Sequence, residues 1–360
     1  VVTLCQEGLA THYRSLFSRV TPLPWSDTQA SIRDVYVPLD VVTEDGKKLQ
    51  LSHVLPPVVT SGRGKRVLVE GESGSGKTYL ADMLTYMWAG QRAYFTNHYN
   101  FLILIDARTV QGSLAKAVYS QVLPENFKVG VDELWRILEA NARDTVLVID
   151  GFDGDNGNEE LKQIVVGDTF RHATVLMTSR PEARAGKWLK PDYRLYVLGL
   201  SSLNVGRCLK SYAVIAQMTS EEYDEFHDVI ISPEFEFRVH LGNPYVCLAV
   251  FGVYLATGEA GLASVTSLTS LFEQFLVAMA TSFCRKTDIA VPGTEFPSDV
   301  ISAISNLQAL AYRMLVTKGK LLSESDLERV VTHLRAALQA GDEDENTATP
   351  TDDGSTEKER

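Results

Sequence analysis

Residues 71 to 78 read Gly71-Glu72-Ser73-Gly74-Ser75-Gly76-Lys77-Thr78, and their types and spacing suit the holding of phosphate. Glycines at 74 and 76 let the backbone turn so that consecutive N–H groups converge on an anion. Lys77 adds a point charge for β- and γ-phosphates, and Thr78 offers a hydroxyl to a magnesium ion. A helix opening at this point presents its positive dipole end to the same anion. The run fits the eight-residue P-loop pattern without mismatch, after an apolar strand and before a helix, which is the context the pattern needs. ATP or ADP with Mg2+ is the ligand set it implies.

Such a site needs an acid at the end of a second buried strand. Thr145-Val146-Leu147-Val148-Ile149-Asp150 supplies one, with Asp150 as the expected holder of the magnesium shell. Asp153, three positions on, is placed to orient or deprotonate an attacking water; Asp155, between Gly154 and Asn156, reads as part of a turn. A third apolar strand ends at Met177-Thr178-Ser179-Arg180-Pro181. Arg180 there is placed to reach a γ-phosphate; the plainer alternative is a surface Arg in a turn before Pro. Arg108, after the strand at 101–106, reads as structural.

To position these groups the chain must build a sheet. Short apolar runs at 66–70, 101–106, 145–150, 173–179 and 194–198 alternate with helix patterns at 77–89, 113–122, 132–142 and 159–166. Strands apolar on both faces and separated by helices imply a parallel sheet covered on both sides, an α/β fold. Residues 1–60 read as a lead-in: a short helix over 9–20, stopped by Pro22 and Pro24, then a β-rich stretch over 32–42 ending at Glu44-Asp45-Gly46. From about 201 the strand signal fades. Helices are expected at 201–216, 220–228, 243–256, 267–285, 298–316 and 323–340, and the acidic stretch 341–360 is expected to be disordered.

The formal net charge of −12 excludes a nucleic-acid grip spread over the whole surface, because phosphate backbones demand clustered Lys and Arg. The small trio Arg63, Lys65 and Arg66 reads as a solvated loop. No apolar run is seen to reach the roughly 18 to 20 residues that a bilayer requires, so no membrane span is expected. The first residues show no secretory signal. Cys5, Cys208, Cys247 and Cys284 lie far apart without metal-ligand spacing, and Cys247 and Cys284 are expected as buried thiols. This suits a reducing, cytoplasmic setting.

Together the motifs resemble the NACHT family of STAND NTPases, the nucleotide switch of NOD-like receptors. Asp150-Gly151-Phe152-Asp153 is similar to the family's Walker B element, in which a tiny residue follows the magnesium Asp and a second acid comes two positions later. Thr178-Ser179-Arg180-Pro181 looks like its sensor segment. Gly242-Asn243-Pro244 resembles the Gly-x-Pro signature of the first helical domain, which implies that Pro244 contacts the nucleotide. Val35-Tyr36-Val37-Pro38-Leu39 is similar to the segment that packs on adenine. Trp88-Ala89-Gly90 fits the end of the P-loop helix, residues 319–328 look like the middle of the winged-helix domain, and Pro22-Leu23-Pro24-Trp25 is similar to the lead-in of invertebrate receptors of this type.

The resemblance spans about residues 10–340. It implies a lead-in with the adenine-side segment (1–60), a nucleotide-binding domain (61–200), an all-α helical domain (201–262) and a partial winged-helix domain (263–340), ahead of the acidic tail (341–360). Two departures stand out. Gly154 occupies the place where many members carry Glu after the second Walker B acid, and the tail replaces the part of the winged helix that would carry the His on the ADP β-phosphate. His333 reads as a surface histidine. The implied function is an ATP/ADP switch with slow hydrolysis that controls oligomerisation in innate-immune-type signalling, with self-association in the ATP state and an adaptor or effector domain as partner. A catalytic P-loop ATPase with turnover as its purpose and a non-hydrolysing regulatory decoy stay open.

Overall fold

The computed structural model describes residues 1–58, 62–90, 99–124, 127–152, 158–183, 185 and 190–286, except the side chains of 280, 281 and 283–286. Five strands carry the sheet's parallel part: β3 (Arg66–Glu70), β4 (Phe101–Asp106), β5 (Thr145–Asp150), β6 (Thr174–Ser179) and β7 (Tyr193–Gly199). Every residue of β3, β5 and β6 is buried, as expected of strands covered on both faces. The crossovers are α3 (Lys77–Ala89), α4 (Leu114–Val122) with α5 (Val131–Ala140), and α6 (Glu159–Val166). With two short edge strands from the lead-in, β1 (Asp40–Thr43) and β2 (Lys48–Leu49), the spatial order is β2-β1-β7-β3-β6-β5-β4. The chain therefore leaves β3 for the far edge, returns through β5 and β6, and then crosses to the other side of β3. Crevices at such reversals are where open α/β sheets bind ligands.

The lead-in departs from its sequence reading. Helix α1 covers Val2–Phe17 rather than 9–20, because Cys5, Leu9, Tyr13 and Phe17 bury one face. Tyr13 reaches the sheet, where its hydroxyl accepts from the Leu104 N–H at 3.1 Å and its ring meets Trp88 of α3 edge-on. The β-rich stretch splits. Ser31 caps a single helical turn, α2 (Ile32–Val35), and only Asp40–Thr43 forms a strand, β1. With β2 (Lys48–Leu49) it adds an antiparallel edge beside β7, so the sheet is mixed rather than wholly parallel. Arg66 is not part of a solvated loop: it is buried, and its Nη1 donates to the carbonyls of Ala173 and Gly64.

Past the sheet come α7 (Ser202–Ile215), α8 (Ser220–Ile231) and α9 (Pro244–Ala263). Thr219, not Ser220, caps α8, through a reciprocal capping box with Glu222. Phe251 of α9 packs on Tyr212 of α7 and edge-on against Phe226 of α8. Contrary to the sequence reading, α9 is long and apolar enough to cross a membrane by length and composition. Its Val246, Cys247, Val250, Phe251 and Val253 are buried, however, and the helix breaks at Gly258 (φ 68°, ψ −166°). That is the pattern of a core helix with a kink. The chain divides into two units after Leu271; the last described helix, α10 (Leu268–Lys286), starts in the first, and the second is described only over its residues 272–286. The expected helices at 298–316 and 323–340, His333, and the acidic tail lie outside the described residues.

Candidate functional site

The P-loop joins β3 to α3. Gly74 (φ 76°) and Gly76 (φ 98°) both adopt the left-handed region that a Cβ disfavours. Space excludes side chains as well: a Cβ at Gly76 would lie 2.8 Å from Leu39 Cδ1, and one at Gly71 2.8 Å from the Val197 carbonyl oxygen. No side chain caps α3, so its first N–H groups are left to an anion. Lys77 folds back over the loop, and its Nζ donates to the carbonyls of Gly71 and Glu72.

Asp150, buried at the end of β5, sits at the centre of a tied cluster. Its Oδ2 accepts from the Thr78 hydroxyl at 2.8 Å and from Arg108 Nη2 at 3.3 Å, while its Oδ1 accepts from the Thr178 hydroxyl at 2.6 Å. Thr178 Oγ1 in turn accepts from the Gly151 N–H at 2.9 Å. Thr178 stands in this place because β6 lies between β3 and β5. Arg108, besides reaching Asp150, grips Asp106 with two nitrogens, at 2.7 and 3.1 Å. Asp82, one turn beyond Thr78 on α3, faces the same cluster. Burial, then Asp150 and Asp106, push its carboxyl up to about 7 against the pull of Arg108. The oxygen donors of Thr78 and Asp150 fit a Mg2+ ion, which takes few protein ligands and completes its shell with phosphate and water. Among the described residues no set of three His, Cys, Asp or Glu side chains forms a separate metal site.

Above the loop lies a cavity of about 370 Å³. Gly74, Gly76, Lys77 and Thr78 of the loop line it, together with Val35, Val37 and Leu39 from the lead-in and Tyr212, Pro244 and Leu248 from the helices. Tyr36 is not in that lining. Its ring stacks on Tyr79 at 5.8 Å, and burial holds its hydroxyl up at about 12. Val35 ends the turn α2 and Tyr36 follows it in an extended conformation, with its ring set on Tyr79. Glu72, Ser73 and Ser75 belong to the loop without lining the cavity, and Ser75 is buried. Arg180 is exposed at the tip of β6 and does not line the cavity either, and Asp153 lies outside the described residues.

Sequence reading missed Thr178 as the residue that orients Asp150, and missed Asp82, whose i+4 spacing from Thr78 was a usable signal. It also missed the meeting of two cysteines. Cys247 of α9 donates its thiol to the Leu241 carbonyl at 2.8 Å. The proximity of Cys208 on α7 and Cys247 holds the Cys208 thiol down and that of Cys247 up, and Cys208 borders the cavity.

Residues 65–213 match the family described as NACHT domain. NLR family CARD domain-containing protein 4 of Xenopus tropicalis is 20% identical over 142 residues, a match covering 38% of this chain and only 13% of that protein. Among solved structures, the Aeropyrum pernix ORC2 protein in its ADPNP-ADP complexes is similar, with a TM-score of 0.41, 12% identity, and coverage of 80% of this chain and 84% of that one. A variant of Thermotoga maritima RuvB gives 0.31 and 14%, over 59% of this chain and 61% of that one. Motif, strand order and family match agree: residues 65–213 are a NACHT-domain P-loop NTPase module, a distant homologue of the NLR-family protein.

Proposed function

We propose that the chain is an ATP/ADP-binding switch, in which bound nucleotide ties the sheet to the helices after it and slow ATP hydrolysis resets the state. The observation that carries this reading is the cavity's shared lining, which takes residues from the P-loop, the lead-in and the helices after the sheet. A nucleotide whose phosphates occupy Gly74–Thr78 also touches Pro244, Tyr212 and Leu248. Val35, Val37 and Leu39 offer the base an apolar surface, and Thr78 and Asp150 hold Mg2+, which screens the phosphate charge. Thr178 holds the Asp150 carboxylate in one orientation. Asp153 as the residue that positions water, and Arg180 as the reporter of the γ-phosphate, belong to this proposal. So do self-association in the ATP state, a cytoplasmic setting and an adaptor or effector partner. Driving such a switch from 1:99 to 99:1 takes about 5.5 kcal/mol of differential affinity, a scale that contacts with loop, lead-in and helices together can supply.

The test is the identity of the nucleotide released on denaturation, together with mass in solution under ADP and under a non-hydrolysable ATP analogue. ADP in the purified protein and a larger species with the analogue are expected. An empty wild-type site, or equal masses, would sink the switch; many turnovers per second would make the chain a working ATPase instead.

A further inference from the structure

Three consecutive residues join the helices to the nucleotide loop. The Gly242 carbonyl accepts from the Leu200 N–H at 2.6 Å, at the end of β7, and Gly199 (φ 94°) packs so closely there that a Cβ would lie 2.1 Å from the Gly242 oxygen. Pro244 opens α9 and lines the cavity. Between them, Asn243 makes two opposite hydrogen bonds. Its Oδ1 accepts from the Tyr245 N–H at 2.9 Å and caps α9, while its Nδ2 donates to the Ser73 carbonyl of the P-loop at 2.8 Å. The orientation of the amide is fixed by its partners, since a flip would set donor against donor and acceptor against acceptor.

The contact is close as well as polar. A Cβ on Gly74 would lie 2.7 Å from both Asn243 Oδ1 and Tyr245 Cβ. The peptide between Ser73 and Gly74 is planar and trans, so fixing the Ser73 carbonyl also fixes the direction of the Gly74 N–H. That N–H is one of the donors the loop offers to phosphate.

We propose that Asn243 is a positioning residue for the phosphate site: one half of its amide starts helix α9 and the other half holds the P-loop in its phosphate-accepting shape, so that α9 and nucleotide release are mechanically coupled. This rests on the nucleotide reading given above. When α9 moves off the loop, the Ser73–Gly74 peptide is free to rotate and the phosphate loses a fixed donor. A ligand that prefers the latched loop therefore also stabilises the seating of α9, as reciprocity of coupling requires.

Serine at 243 keeps an oxygen for the helix cap but is too short to reach Ser73. Full-length protein is loaded with a fluorescent ADP analogue and chased with excess ADP, and release is timed by stopped flow beside a thermal melt. N243S is expected to release the analogue about tenfold faster, the worth of one hydrogen bond, with the wild-type Tm. N243A should release as fast and melt lower, having lost the cap too. N243D, a good cap whose carboxylate faces the Ser73 carbonyl, gives the same reading should N243S unfold. Wild-type release rates in N243S and N243D would make Asn243 a helix cap only and overturn the latch. Failure of wild type to bind the analogue at all would instead overturn the nucleotide reading, and the latch with it.

Discussion

Two sets of residues around the cavity are built on opposite plans. Lys77 and Thr78 line it from the loop and are tied to polar groups behind them: Thr78 to Asp150, Asp150 to Thr178 and Arg108, Arg108 to Asp106, Lys77 to its own loop. On the helix and lead-in side Val35, Val37, Leu39, Pro244 and Leu248 present hydrocarbon. A phosphate chain needs donors at fixed places, because a misdirected N–H in a desolvated site is worth little. A flat apolar ligand surface needs only area and fit. The first set therefore tolerates few residue types, and the second tolerates many of similar volume.

The polar cluster behind Thr78 carries a cost that shows as pH dependence. Asp82 ionises at about 7 in the fold against 3.8 in an unfolded chain. The folded state therefore holds the proton longer, and its stability falls as pH rises from near 4 to about 7 and is level above. Replacing Asp82 by Asn removes that term. In urea denaturation without nucleotide or metal, D82N should be more stable than wild type near pH 8, by on the order of 4 kcal/mol. The gap should narrow as pH falls and close near pH 4. A gap independent of pH would remove the buried-acid account of the cluster.

Lys77→Ala tests the polar set through its ligand. Loss of one charge-assisted contact weakens ADP binding on the order of a hundredfold. The loss should be far smaller for adenosine, which has no phosphate to meet the lysine. Titration calorimetry with both ligands reads the difference, and an equal loss for both would mean that Lys77 shapes the cavity rather than holding phosphate.

The same contrast explains what could be read from the sequence. The loop 71–78 and Asp150 stood out because the P-loop pattern dictates residue type and spacing, and the strands 66–70, 101–106 and 145–150 fell where short apolar runs put them, β3 and β5 wholly buried. Thr178 stood at a recognised strand tip, yet its bond to Asp150 depends on β6 lying between β3 and β5, which is a property of strand order. The bond from Asn243 to Ser73 spans 170 residues. Nothing local to Gly242-Asn243-Pro244 reveals it. The turn at Ile32–Val35 was hidden by β-branched residues, whose strand preference the Ser31 cap overrides. Tyr36 was grouped with Val35 and Val37, although it stands where the turn α2 ends and its ring stacks on Tyr79 instead of lining the cavity.

The apolar set should answer to a gentler change. Leu248 faces the cavity from α9 without being fully buried, so truncation to Ala removes part of a ligand-contacting surface and leaves the helix core intact. At about 25 cal/mol per Å² the lost contact is worth about 1 kcal/mol, or roughly fivefold in affinity. Because hydrocarbon contact is blind to phosphate, ATP, ADP and adenosine should lose the same factor in L248A, whereas K77A discriminates between them. The melting temperature of the protein without nucleotide should shift by only about 1 to 2 °C for each kcal/mol in a chain of this size. Should L248A instead weaken ATP and ADP but spare adenosine, Leu248 would act on the phosphate end. The division of the cavity lining into a polar and an apolar set would then fail at that residue.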